Sequence, residues 1–444
     1  MPKIVQARVI TASKEDYQNY QTDVLGTLEH LAGKYGDDYD FVNIPFPNGA
    51  SRYLILSAEY VEDVLHTKQK SFVKSEAFNF LKPLLGEGLL TSEGKKHKRD
   101  RRIIQPSFHM KSLSKYADTM VSNTSMLIKR WEEEESSERD ISKDMMKLTL
   151  TIITETMFGT SIDQDKIEEV DKAFTSFSKL TSHAYRGITD IEDFKQQVSN
   201  SIQKLNDAVL PIIKKRRELG TQENDDLLAA LFRAKDEESG AGMTDEEIYE
   251  QVMTFFLAGH ETTSNALSWT WHLLSRNPNI EEKFHMEIDT VLGNRPPVLE
   301  DFHKLTYTKA VIQESMRLFP PAYQSGRQAS EDVEMGGYGF KKGETFLTSQ
   351  YVLHRSNRYF KEPLMFIPER FENGILKDVP KFAYFPFGGG SRVCIGNHFA
   401  MLEAVLVLAA LGQQYKLQTI GKIEPEPIIT LKPTCLNMKL IKRI

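Results

Sequence analysis

A single helix long enough to cross a whole globular domain constrains this chain more than any other feature in it. Thr244 with Glu247 three residues later forms a capping box, and no proline follows until Pro278. Helical periodicity to Arg276 gives roughly 30 residues, or ~48 Å at 1.5 Å per residue. Val252, Phe255, Phe256, Ala266 and Leu267 make an apolar stripe by the i, i+3, i+4, i+7 rule. Gly259, Thr262 and Thr263 interrupt that stripe. A glycine and two hydroxyls on a buried face cost helix stability, and such local violations concentrate where function is located. A kink or a tight helix crossing would leave the same mark. His260 and Glu261 begin an HExxH-like string, but Ser264 fills the place of the second histidine, so a zinc-protease reading fails.

The second constraint is Cys394, set in the string Phe387-Gly388-Gly389-Gly390-Ser391-Arg392-Val393-Cys394-Ile395-Gly396. An apolar helix is expected to start near Gly396, aiming its free N–H groups and positive dipole end back at the sulfur. Those groups favour the thiolate, which is the metal-ligating form. Gly388, Gly389 and Gly390 would let the backbone approach a flat ligand. Arg392 could grip a carboxylate of that ligand with its fork of donors. A free cysteine alone is usually packing, and a glycine run is usually a turn. The fixed offsets of arginine, glycines, aromatic and helix argue for a ligand site.

The rest of the sequence limits the class. The net charge is −6, which argues against a general nucleic-acid binder. With 40% hydrophobic and 27% charged residues the chain can bury an ample core. The two cysteines, Cys394 and Cys435, exclude a disulfide scaffold and fit a reducing cytoplasm. No secretory signal or membrane anchor is expected, since residues 1–20 are polar and the apolar run 404–411 is far short of the ~20 residues that span a bilayer. No Pro/Gly/Ser-rich linker divides the chain, so one domain over residues 1–444 is expected, mainly α with a minor β portion. Its N-terminal part is β-richer, with a β-like run at 53–56. The remainder is helical, with hairpins after Phe319 marked by Gly337 and Gly343. The charged segments 132–139 and 235–238 read as solvated loops.

Together these residues resemble the cytochrome P450 superfamily. The cysteine string matches that family's haem-ligand pattern, FxxGxRxCxG. The string Ala258-Gly259-His260-Glu261-Thr262-Thr263 resembles its oxygen-activation motif. Glu314 with Arg317, followed by Pro368-Glu369-Arg370-Phe371, resembles its ExxR helix and PERF segment. The resemblance implies the cytochrome P450 fold with the long helix central, over haem b held through the Cys394 thiolate. It implies Gly259 as an opening in that helix, Thr262 as the hydroxyl on the oxygen side and Glu261 as proton relay. A buried Glu314, Arg317, Arg370 network would hold the cysteine loop.

The basic stretch around Lys95 and Arg102 lies where the family often places WxxxR against a haem propionate. Here His97 stands in the tryptophan position and Arg101 is retained; Arg392 and Arg327 are further propionate partners. Phe78, Phe255, Phe256, Tyr323 and Ile429 are the expected substrate-pocket residues, implying a hydrophobic substrate, fatty-acid or terpenoid-like. The strings Gln105-Pro106-Ser107-Phe108 and Thr430-Leu431-Lys432-Pro433 resemble the fatty-acid-hydroxylase branch. No flavin domain is expected, since the sequence stops at Ile444. Electrons for O2 chemistry are therefore expected from a ferredoxin or flavodoxin with an NAD(P)H-dependent reductase. Two alternatives remain: a peroxide-driven enzyme of the same fold, which would not need Glu261 and Thr262, and a non-enzymatic haem or small-molecule binding protein.

Overall fold

The long helix forms because its ends are specified locally and its middle is apolar on most sides. In this computed structural model, which describes residues 6–443 except 46–50, 135, 161–163, 189, 220–225, 236–239, 373–375 and 377, it runs over Asp245–Arg276. Thr244 Oγ1 accepts from the Glu247 N–H at 3.2 Å, and the Glu247 carboxylate accepts from the Thr244 N–H at 3.0 Å. At the other end Asn277 breaks the helix, and Pro278 starts the next at a position where its missing N–H costs nothing.

Around this rod the described chain is mainly helical. The elements that matter for the site are α1 (Gly94–Ile104), α2 (Ala117–Glu133), α3 (Ile141–Phe158), α4 (Gln164–Tyr185), the rod α5 (Asp245–Arg276), α6 (Thr306–Leu318) and α7 (Asn397–Gln414). Helices α3, α6 and α7 all pack on α5. Residues from Ile248 to Leu274 are therefore buried on nearly every face, more than one stripe would give. Helix α7 is apolar nearly all round for the same reason, with 402–412 entirely buried, Glu403 included. Among the described residues no helix is long and apolar enough to cross a membrane.

The minor β portion is chiefly one six-stranded sheet. Its strands are β1 (Val9–Thr11), β2 (Phe41–Pro45), β3 (Ser51–Ile55), β4 (Phe72–Lys74), β5 (Ser325–Ala329) and β6 (Thr345–Thr348), in the order β1-β2-β3-β6-β5-β4. Strands β4 and β5 are antiparallel with Lys74 directly opposite Arg327. Like charges in that position are destabilising unless something negative stands over them. The hairpin Val333–Met335/Tyr338–Phe340 turns through Gly336 and Gly337, both at positive φ.

One expected loop is only partly a loop. Helix α2 continues through Glu133, and Glu138–Asp140 becomes a strand paired with Asn437–Lys442 near the chain's end. That pairing partner lies at the other end of the sequence, beyond what local polarity reveals. Of the other charged segment, residues 236–238 lie outside the described residues.

Candidate active site

Cys394 sits where the loop expectation put it, immediately before α7. Its N–H donates to the Phe387 carbonyl at 2.9 Å, and the Gly388 N–H donates to that of Phe385 at 2.9 Å. The thiol's pKa is pushed up by burial; the Gly396 N–H bonded to sulfur and the Arg101 charge act the other way. Cys394 is nevertheless exposed at its own surface. A group surrounded by protein yet open at its surface lies on the wall of an internal recess. Gly388 has φ of 71° and free space around it. At Gly390, by contrast, a β-carbon would stand 1.7 Å from the Leu65 carbonyl, so that glycine serves the docking of the loop on residues 63–67 rather than room for a ligand.

The middle of α5 is the neighbouring wall. Phe108 connects the two: its ring lies 5.4 Å from that of Phe255 and 3.8 Å from where a β-carbon on Gly396 would stand. Within an otherwise buried helix, Ala258 is exposed and Gly259 and Thr262 are half-buried. These three share one face. Thr262 Oγ1 donates to the Ala258 carbonyl at 2.8 Å. Gly259 has a packing reason as well, since a β-carbon there would approach Ile153 Cδ1 of α3 to 2.7 Å. Glu261 points elsewhere and is 3% exposed. Burial pushes its carboxyl up to about 7, against a hydrogen bond from Thr430 and the charge of Lys432. His260 is fully buried beside Phe174 and Phe256, its pKa pushed down to about 4 by that burial. It faces the core.

Five basic side chains converge beside the loop. Arg101 donates to the Val393 carbonyl at 2.9 Å, and Arg392 to that of Ser92 at 2.9 Å. Lys74 Nζ reaches the same Ser92 carbonyl at 2.9 Å. Burial, then repulsion by Arg392, lowers Lys74 to about 7 and Arg327 to about 10, with Arg327 also pressing on Lys74. His97 is driven to about 3 by burial, Arg392, Lys74 and Arg101. Glu93, paired with Arg392, offsets part of this charge. The remaining excess is what an anion would relieve. The rest of the basic stretch divides: Lys96 and Arg99 pair with Asp100 and with Glu247 of α5, whereas Lys95, Lys98 and Arg102 are exposed.

Glu314, Arg317 and Arg370 come together in a fully enclosed cluster. Arg317 holds the Glu314 carboxylate with two bonds, of 2.6 and 2.7 Å, and Arg370 Nε is 3.3 Å from it. Arg317 also donates to the His354 and Pro363 carbonyls at 2.7 and 2.6 Å. His354 Nε2 in turn accepts from the Phe385 N–H at 2.9 Å. The cluster is thus tied bond by bond to the cysteine loop.

Comparison with known proteins agrees with this arrangement. The Cytochrome P450 family model matches residues 23–441. The chain is 36% identical to cyclooctatin synthase of Streptomyces melanosporofaciens, covering 87% of this chain and 85% of that protein. It is 34% identical to cyclooctat-9-en-7-ol 5-monooxygenase of the same organism, over 84% and 82%. Pentalenene oxygenase of Streptomyces avermitilis is 30% identical, over 88% of each. The chain belongs to the cytochrome P450 family.

As a cytochrome P450 it is a haem-iron monooxygenase, an oxidoreductase. The residues present fit that cofactor. An open sulfur faces a recess beside α5, and an unbalanced cation cluster suits the two propionate carboxylates of a porphyrin. Among the described residues no three His, Cys, Asp or Glu side chains converge as a metal cage, and a haem iron needs only one protein ligand on the cysteine side.

The expected pocket residues separate in this P450. Phe78 is half-buried with Lys74 Nζ 5.7 Å from its ring centroid, and Ile429 is half-buried against the main core. Phe255 is 6% exposed against Phe108. Phe256 is fully buried between Phe158 and Phe174, and so does not face open space. Tyr323 packs in the N-terminal core and donates to the Ile428 carbonyl at 3.1 Å. Sequence reasoning missed Lys74. Its signal is the register with Arg327, which only the folded sheet supplies. Lys74→Met is expected to weaken haem retention by about 1.5–3 kcal/mol, the usual worth of a hydrogen bond to a charged group. Haem transfer to an acceptor protein measures it.

Proposed function

We propose that this P450 binds haem b through the Cys394 thiolate and hydroxylates a hydrophobic, terpenoid-like small molecule. The observation that carries the reading is the open sulfur of Cys394 set beside both the interrupted face of α5 and the cation cluster. His97, Lys74, Arg101, Arg327 and Arg392 would hold the propionates. When bound, thiolate-ligated haem supplies activation of O2, with sulfur electron density favouring O–O cleavage. The half-buried Phe78 and Ile429 and the exposed Ala258 would form the apolar wall that excludes water from the substrate side. Two relatives carry an olefin and an unsaturated alcohol in their names, which favours such substrates over fatty acids.

Thr262 and Glu261 would manage protons. Thr262 can turn its hydroxyl from the Ala258 carbonyl to the recess. Glu261, with a pKa near 7, holds a proton below that pH and gives it up at little cost near it. Thr262→Ala is expected to leave NADPH consumption but divert at least half of it to peroxide or water. Unchanged coupling to product would remove Thr262 from the mechanism.

Electrons would come from a separate ferredoxin or flavodoxin with its NAD(P)H-dependent reductase, all cytoplasmic. Exposed Lys95, Lys98 and Arg102 lie on the helix whose Arg101 touches the cysteine loop. An acidic carrier would be steered there, with salt-sensitive rates. The substrate reading is tested by titrating the ferric protein with cyclic olefinic alcohols and with fatty acids of equal carbon number. A saturable low-to-high-spin shift with the alcohols supports it. A shift with the acids alone replaces it with lipid hydroxylation.

A further inference from the structure

The underside of α4 carries two hydroxyls in the middle of a buried stripe. Phe174, Ser178, Thr181 and Tyr185 follow one another at i, i+4, i+7 and i+11, so they share one helix face. The two ends of that face are packed. The Phe174 ring lies 5.6 Å from that of Phe256 and 4.9 Å from that of His260, both on α5. The Tyr185 ring lies 6.5 Å from that of Phe80, in the turn Glu76–Phe80 that also carries Phe78. One edge of α4 is fastened to the C-terminal hairpin Pro425–Pro427/Leu431–Pro433, through Lys179 Nζ on Glu426 at 2.9 Å and Lys432 Nζ on Thr175 Oγ1 at 3.5 Å. The face between Phe174 and Tyr185 therefore roofs the space between α5, the Phe78 turn and the hairpin tip with Ile429. Phe78 and Ile429 are the half-buried residues that would wall the substrate.

Ser178 and Thr181 stand in the middle of that roof, 0% and 4% exposed, and neither hydroxyl has a hydrogen-bond partner among the described residues. Buried hydroxyls on the neighbouring helices are satisfied by the carbonyl one turn back. Thr149, Thr154 and Thr156 of α3 and Ser268 and Thr270 of α5 all bond in this way. A buried hydroxyl left unpaired costs its full desolvation, whereas an apolar side chain of the same shape would cost nothing. The fold carries that cost twice on one face. Residues three apart on a helix have their β-carbons about 5–6 Å from each other, so one oxygen atom between the two side chains can bond both.

We propose that Ser178 and Thr181 are the polar anchor of the substrate site, and that they grip a hydroxyl already present on an otherwise hydrophobic molecule. This rests on the reading of a terpenoid-like substrate oxidised beside Cys394, and it specifies the chemistry of that molecule's other end. An alcohol donates one hydrogen bond and accepts two, so it can give its proton to one of the two side chains and receive one from the other. The face from Phe174 to Tyr185 carries no charged residue, and Lys179 beside it is paired with Glu426. A neutral oxygen suits it and a carboxylate does not. In a mostly apolar pocket a few placed polar groups fix orientation; held at that end, the molecule presents a fixed part of its skeleton to the recess at Cys394. The enzyme then acts after a reaction that has already put oxygen on the skeleton, either an earlier hydroxylation or a cyclisation ended by water.

The test titrates the haem-loaded ferric protein with cyclododecanol and with cyclododecane, following the low-to-high-spin shift. The ratio of the two affinities, compared between proteins, cancels what each molecule gains by leaving water. From the wild type to the double variant Ser178→Ala/Thr181→Val that ratio should move about tenfold or more toward the hydrocarbon, the worth of two neutral hydrogen bonds. Thr181→Ser, which keeps the hydroxyl, should leave it in place. With no molecule added, the double variant should melt at or above the wild-type temperature, because it removes two unpaired polar groups from a buried face. An unchanged ratio would overturn the anchor, and a lowered melting temperature would make the hydroxyls structural instead. Failure of the underlying reading looks different: neither ring compound would shift the wild-type spectrum, while dodecanoic acid would.

Discussion

Replacing Cys394 by serine should abolish the thiolate-type spectrum of the reduced CO complex and reduce turnover by at least about 10³-fold, or ~4 kcal/mol in the barrier. The geometry explains why the substitution is so costly while changing so little volume. The sulfur is held by a bond from the Gly396 N–H and lies within the field of Arg101, two influences that favour an anion against the cost of burial. A serine hydroxyl can keep the hydrogen bond, but its far higher pKa leaves it neutral in the same field. The cluster of basic side chains does not depend on residue 394. Haem should therefore still bind, more weakly, and the variant should show a haem spectrum without the thiolate signature. Retention of that signature would end the ligand assignment.

The contrast between Cys394 and Lys74 shows which parts of this site are written locally. The cysteine loop, the capping box at Thr244, the interruption at Gly259 and Thr262, and the Glu314/Arg317 pair are all patterns within a few residues, and all are legible in sequence. The rod α5 ends at Arg276 as expected, because a capping box and a following proline are signals that tertiary packing does not override. Lys74 joins the basic cluster only because β4 lies antiparallel to β5, which sets it opposite Arg327. The same limit applies to Phe255 and Phe256. Both belong to one stripe by periodicity, yet neighbours on a helix diverge by about 100°. One meets Phe108 and the other enters the core. Gly390 is a further case, since its glycine requirement comes from the distant Leu65 carbonyl.

Glu314→Gln should destabilise the protein by about 3–5 kcal/mol, the usual consequence of leaving buried arginines without their carboxylate, and should cost much of its haem. Glu314, Arg317 and Arg370 are all at most 7% exposed, so water cannot replace the lost charge. The effect reaches the cysteine through consecutive bonds. Arg317 grips the His354 carbonyl, the His354 ring accepts from the Phe385 N–H, the Phe385 carbonyl accepts from the Gly388 N–H, and the Phe387 carbonyl accepts from the Cys394 N–H. Arg317→Lys should be nearly as damaging, because an ammonium cannot hold a carboxylate bidentately while also reaching the carbonyls of Pro363 and Met365. The comparison is Lys283→Ala, which removes an exposed ion pair to Glu369 in the same segment as Arg370 and should cost less than ~1 kcal/mol. Denaturant midpoints and haem content of the three variants decide the matter. Equal small losses in all three would mean that the cluster does not hold the loop, whereas haem loss confined to Glu314→Gln and Arg317→Lys would show that the thiolate is positioned from the far end of this chain of bonds.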